Sequence, residues 1–177
     1  ARHVGTVVHR QLQRIAEEGL QAWSADRMAR SRDDYKDMLS VLGVTSGELD
    51  SAVRQVEQAL RQTLDDDRGR WLLGGGHESA SNELALTAVH DGRFVDVILD
   101  RTFIDKDGTS WIIDYKTGAH AGGGLYTFLD EEVARYRRQL ERYADILRRM
   151  EHKPVRVGLY FPMHQAWREW EPDLANT

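Results

Sequence analysis

The spacing of apolar residues divides the chain into a helical first part and a strand-rich second part. Val8, Leu12, Ile15, Ala16 and Leu20 recur at helical steps and predict a first helix from a Thr6 cap to about Ala22. A polar, charged stretch from Ser24 to Asp37 is expected to be helical and solvated. It leads to Met38, Leu39, Val41 and Leu42 and a break at Gly43. Thr45-Ser46-Gly47-Glu48 has the spacing of a capping box, and the helix it opens carries Leu49, Val53, Val56, Leu60 and Leu64 on one face. Asp65-Asp66-Asp67 reads as a solvated helix end, because three consecutive carboxylates cannot converge from one. Gly74-Gly75-Gly76 is a loop.

Beyond that loop the period changes from helical to strand-like. Glu83 to Val89, Val95 to Ile104 and Trp111 to Lys116 are strand-length runs of β-branched, aromatic and alternating residues. Short turns join them, His90 to Arg93 and Asp105 to Gly108, so they are expected to form an antiparallel meander. The loop Lys106-Asp107-Gly108, with glycine in the left-handed position, pairs Asp105 with Thr109. Counting back from that pair sets Asp100 opposite Asp114. After Gly118 a glycine-rich segment, His120 to Gly124, is either slack or a mobile piece over a groove. A long helix follows, from about Asp130 to Met150, with Val133, Tyr136, Leu140, Tyr143, Leu147 and Met150 as its buried stripe. Val155 to Phe161 is a last apolar strand stopped by Pro162, and Ala166 to Trp170 adds an edge strand.

Composition narrows the class. At 177 residues, with 41% hydrophobic and 30% charged positions, the chain is expected to be one soluble domain, 1–177, with a core large enough to be stable. Its helical part spans 1–73 and its sheet-and-helix core 82–170. No apolar run reaches membrane-spanning length and no signal-peptide pattern opens the chain. Cysteine is absent, which excludes disulfides, thiolate zinc sites and iron–sulfur clusters from this segment. The chain starts Ala-Arg-His without methionine, which suggests a piece excised from something larger. The net charge of −5 is the wrong sign for a domain that holds nucleic acid by itself.

The candidate chemistry lies at the end of the third strand. Strand side chains alternate, so Asp114 and Lys116 point to one side and Ile113 and Tyr115 to the other. An isolated Asp-x-Lys is most often a strand reaching solvent. Asp100 facing Asp114 is different, because like charges opposite each other destabilise a sheet. At ~5 Å and an effective dielectric of 20 the repulsion is roughly 3 kcal/mol, and a cation between the carboxylates would remove it. The bare residues therefore point to a divalent-metal site beside a lysine. His9 alone is more often packed than a ligand. Arg135, Arg137, Arg138, Arg142, Arg148 and Arg149 make a solvated face or contact phosphates. Gln139 and Tyr143 are one helical turn apart and can face one target. No Gly-Lys-Ser/Thr follows the glycines at 74–76, so there is no P-loop.

Four stretches in order, Gly5-Thr6-Val7-Val8-His9, Asp100-Arg101, Asp114-Tyr115-Lys116-Thr117 and Gln139-x-x-x-Tyr143, resemble the RecB-type nuclease domain of the PD-(D/E)XK superfamily. Such domains close bacterial helicase–nucleases of the RecBCD and AddAB kind. The resemblance implies an α/β fold (α+β mixed sheet), a restriction-endonuclease-like αβββαβ core with N-terminal helical additions. It implies a DNA nuclease hydrolysing phosphodiester bonds with Mg2+ or Mn2+, an exonuclease or single-strand cleaver coupled to a helicase in double-strand-break repair. His9, Asp100, Asp114 and the Tyr115 backbone carbonyl would hold the metal. Glu83 stands where many relatives carry a further acid. Lys116 would position the attacking water or stabilise phosphate charge, and Gln139 and Tyr143 would orient it or contact the DNA backbone. The partners implied are DNA, as a single strand or duplex end, and a helicase motor in the same or a partner chain, in a bacterial cytoplasm at the nucleoid. Two departures stand out. Asp96 or Val97 replaces the usual glycine before Asp100-Arg101, and no iron–sulfur cysteines are present. The alternative is a catalytically silent nuclease fold serving as a DNA-binding or docking module.

Overall fold

The computed structural model describes residues 2–90 and 92–173, the side chain of His90 apart. The helices are α1 (Arg2–Glu18), a 3-10 turn (Leu20–Ala22), α2 (Ala25–Arg30), α3 (Arg32–Val41), α4 (Ser46–Asp65), α5 (Asp67–Leu73) and α6 (Leu125–Glu151). The strands are β1 (Glu78–His90), β2 (Arg93–Ile104), β3 (Ser110–Tyr115), β4 (Val155–Phe161) and β5 (Ala166–Trp170), paired in that order in one sheet. β1 to β3 form the expected antiparallel meander. Backbone bonds from Ser110 to Pro154 and from Lys116 to Tyr160 climb β3 and β4 together, which makes that step parallel, with α6 as its crossover. This is the mixed α/β fold with an αβββαβ core, and β3 lies at the centre of the sheet.

Contacts divide the chain into two compact units. The first comprises Ala1–Gly75, Tyr115–Ala119 and Tyr160–Ala166. Here α4 packs on α1, α3 and α5 around Val7, Val8, Leu12, Ile15, Tyr35, Leu39, Val56 and Leu60, all fully buried. Several sequence expectations need correction. Thr6 is not a cap: α1 already runs from Arg2, and the Thr6 hydroxyl donates to the Arg2 carbonyl at 3.3 Å inside the helix. The helix stops at Glu18 rather than Ala22, because Gly19 takes φ +88°. Between 24 and 37 there are two helices that meet at Ser31. Thr45 does precede α4, but its hydroxyl donates to the Glu48 carboxylate at 2.8 Å instead of accepting from a helix amide.

The largest correction in this unit concerns Asp66, which is no solvated end. It caps α5, accepting from the Gly69 amide at 3.1 Å, and it also accepts from the Tyr160 hydroxyl at 2.8 Å. Burial first, and the Asp66 carboxylate second, push the Tyr160 hydroxyl's pKa well above its ordinary value. Gly69 is required at this joint: a Cβ there would collide with the Thr63 carbonyl and lie 2.8 Å from the Tyr160 hydroxyl.

The second unit comprises Gly76–Asp114, His120–Leu159 and Trp167–Thr177. Its β2–β3 hairpin has the expected loop. Gly108 takes φ +81°, Asp105 N donates to the Thr109 carbonyl at 3.0 Å, and Gly108 N to the Asp105 carbonyl at 3.0 Å. The Asp105 carboxylate accepts from Asp107 N, Thr109 N and Trp111 Nε1 at 2.9, 3.0 and 2.8 Å. Partial burial would raise the Asp105 pKa, but the Trp111 bond and the two backbone bonds outweigh it and hold it low. The turn is thus locked by its own first residue, and that lock fixes the β2–β3 register.

In this unit α6 starts at Leu125, five residues before the expected start, after Gly124 at φ +83°. Its buried side is Leu129, Glu132, Leu140, Ala144, Ile146 and Leu147. Met150 is 60% exposed, contrary to the sequence expectation, and Val133, Tyr136 and Tyr143 are half-buried. The segment 120–124 is folded back: His120 stacks on Phe128 at 4.8 Å, and its Nε2 lies 3.0 Å from the Gly123 carbonyl.

Candidate active site

Within the second unit the recorded β2–β3 register runs from Ile104↔Ser110 to Arg101↔Ile113. Continuing it by one residue sets Asp100 against Asp114, as the turn chemistry requires. On the other side of β2, Asn82 pairs with Arg101 and Leu84 with Leu99, so Glu83 is the residue across from Asp100. Three acids therefore occupy one cross-strand row, Glu83, Asp100 and Asp114. Asp100 and Asp114 are half-buried and Glu83 is exposed. Beside the row, Arg101 is buried at 3% exposure and donates from Nη1 to Asn82 Oδ1 at 2.8 Å. Nothing in the sequence marks Asn82; only the register makes it the partner of Arg101.

Glu83 has φ +45°, a left-handed conformation in mid-strand. For a residue with a Cβ that conformation costs about 1–2 kcal/mol. Glu83→Gly should relieve it, less the ~0.5–1 kcal/mol of extra chain entropy that glycine loses on folding, and it also thins the carboxylate row. The metal-free melting temperature of Glu83→Gly is therefore expected to rise by a few degrees. A fall would show that the Glu83 side chain stabilises the strand by contacts of its own.

In the first unit the residues that follow Asp114 are held from two sides. His9 Nε2 lies 3.0 Å from the Tyr115 carbonyl oxygen, and the two rings meet edge-on at 5.8 Å. One helical turn earlier on α1, Gly5 faces Thr117: a Cβ at Gly5 would lie 2.6 Å from Thr117 Oγ1. From β4, the Tyr160 carbonyl accepts from Lys116 N at 2.8 Å. The backbone of 115–117 is thus clamped between α1 and β4, and the Lys116 side chain is half-buried. These contacts explain why Gly5 and His9 stand four apart.

Gln139 and Tyr143 sit on α6 in the second unit, where Gln139 Nε2 donates to the Tyr143 hydroxyl at 2.6 Å. The sequence-selected residues thus fall into three groups: the acidic row, the clamp carrying His9, Tyr115 and Lys116, and the Gln139–Tyr143 pair.

The carboxylates of the second unit are donors of the kind that a hard divalent cation takes, and the first unit offers a backbone carbonyl and an imidazole. Among the described residues no three His, Asp or Glu side chains come together tightly enough to form a cage. Mg2+ is commonly held by only one or two carboxylates, with water and substrate oxygens completing the shell.

The family model of the PD-(D/E)XK nuclease superfamily matches residues 1–172. No curated protein matches the chain. Among solved structures, the crystal structure of SSO0001 is similar at 14% identity with a TM-score of 0.33, covering 96% of this chain and 79% of that one. At that identity and score the likeness bears on neither fold nor function.

Proposed function

Because the chain belongs to the PD-(D/E)XK nuclease superfamily, we propose that it is a RecB-type nuclease domain that hydrolyses DNA phosphodiester bonds at the end of β3. The observation that carries this reading is the β2–β3 register, which continued by one residue from Arg101↔Ile113 sets Asp100 against Asp114, with Lys116 following just after the end of β3. Two carboxylates on neighbouring strands are donors of the kind that a hard divalent cation takes. A silent binding module has no use for it.

In this reading Asp100, Asp114 and the Tyr115 carbonyl hold Mg2+ or Mn2+, with His9 adding a nitrogen and Glu83 a more distant acid. Bound there, the cation would acidify a water and neutralise charge on the phosphate. The residues of the chain do the rest. The Tyr160 carbonyl, through Lys116 N, fixes the backbone from which Lys116 projects. The Lys116 ammonium supplies a fixed positive charge that cannot compete as a ligand, aimed at oxygens that become more negative in the transition state. Coupling to a DNA-translocating helicase and a role in break repair complete the proposal, since an acidic domain gains from a motor that delivers the strand.

The test adds Mg2+ or Mn2+ to the metal-free chain with an end-labelled single-stranded oligonucleotide. Cleavage should start with the metal and stop with chelator. At a metal concentration a hundred times Kd, the stabilisation of about 2.7 kcal/mol should raise the melting temperature by roughly 5–10 °C. DNA binding without cleavage at any metal concentration would favour the silent module.

A further inference from the structure

The arginines of α6 are not equivalent. Arg135 is paired with Glu132 at 2.6 Å, and Arg137 with Glu141 at 3.2 Å, its guanidinium also lying over the Trp170 ring at 4.9 Å. Arg148 and Arg149 share Asp145 at 3.5 and 2.8 Å. Arg138 and Arg142 belong to no ion pair among the described residues, and the acids within helical reach, Glu141 and Asp145, already serve other arginines. The two stand four apart, so like charges are stacked on adjacent turns, an arrangement that destabilises a helix unless an anion lies between them.

Their neighbours point to the same ligand. Arg138 precedes Gln139 and Arg142 precedes Tyr143, so the four residues form one patch across two turns. Gln139 Nε2 donates to the Tyr143 oxygen, which leaves the Tyr143 O–H to donate outward. Arg138, Arg142 and Tyr143 then offer donors only, two of them charged. A phosphodiester offers acceptors only and one negative charge. Guanidinium groups on adjacent turns can each take one phosphate of a strand passing over the helix.

We infer that Arg138 and Arg142, with the Tyr143 hydroxyl, form a phosphate track that holds the backbone of a single DNA strand. The inference rests on the nuclease reading for the identity of the strand, and it selects two of six arginines that sequence alone treats alike. The paired four are structural, each answering a carboxylate of its own helix.

The test measures binding of a fluorescently labelled short single strand to the whole chain in chelator, where cleavage is off, as a function of salt. Each phosphate contact on a single strand contributes about 0.7 to the slope of log affinity against log salt. Arg138→Ala/Arg142→Ala should lower the slope by about 1.4 and raise Kd at low salt, with helix content unchanged by circular dichroism. Arg135→Ala/Arg149→Ala should leave the slope as in wild type. Equal slopes in wild type and Arg138→Ala/Arg142→Ala, or no binding by wild type, would overturn the track. A lowered slope in a protein that cleaves nothing with Mg2+ or Mn2+ would support the track while the nuclease reading falls.

Discussion

Asp114→Ala is expected to bring DNA cleavage below detection while the protein stays folded, and Asp100→Ala should do the same. Each substitution removes one of the two carboxylates that face each other across β2 and β3. Without metal the two carboxylates repel each other, by roughly 3 kcal/mol at ~5 Å and an effective dielectric of 20, and by less where solvent and their own partners screen the half-buried groups. The metal-free melting temperature of either variant should therefore stay close to that of wild type, and the rise that Mn2+ produces in wild type should vanish. The combination is diagnostic. A core defect would lower stability in both conditions, whereas loss of a ligand lowers only the metal-bound stability. Nicking at the wild-type rate by both variants would refute the assignment of these acids.

The second large effect is expected at Lys116. It follows Asp114 by two residues, just past the end of β3, and its backbone is fixed by the bond to the Tyr160 carbonyl at 2.8 Å. If the charge acts on the transition state, Lys116→Ala keeps metal and DNA affinity close to wild type while turnover falls by ~10²–10³, or about 3–4 kcal/mol. An ordinary strand-end lysine paired with Asp114 predicts another pattern: a loss of less than ~1 kcal/mol in stability and an unchanged rate. Single-turnover cleavage in saturating Mn2+, beside calorimetric metal titration, separates the two. A rate within about threefold of wild type would remove Lys116 from the chemistry.

What could be read from the sequence follows from the range of the interactions involved. The Asp100–Asp114 row was legible because a three-residue turn with Gly108 at φ +81° dictates register locally, and Asp105 locks that turn with bonds no longer than 3.0 Å. The stripes of α4 and the two last strands were legible for the same local reason. Asp66 was misread because its partner, the Tyr160 hydroxyl, is 94 residues away, and no period announces a helix joint gripped by a strand. Met150 was misread because a helical stripe predicts which face is apolar, not where its cover ends.

At the site, the resemblance named His9, but its place beside the Tyr115 carbonyl, 106 residues away, is a tertiary fact. So is the near contact of Gly5 with Thr117, which explains a glycine inside a helix. Composition also treats the α6 arginines as one basic face. Only the ion pairs divide them into four that answer acids on the same helix and two that do not.

Binding of a divalent cation by the Asp100 and Asp114 carboxylates is tested most directly by anomalous scattering from Mn2+ in crystals grown with it. The account predicts an anomalous peak at ligand distance from the Asp100 and Asp114 carboxylates and the Tyr115 carbonyl, absent from Asp114→Ala crystals grown the same way. Wild-type crystals with no peak there in saturating Mn2+, or with peaks only at other carboxylates such as Asp105 or Asp66, would contradict it.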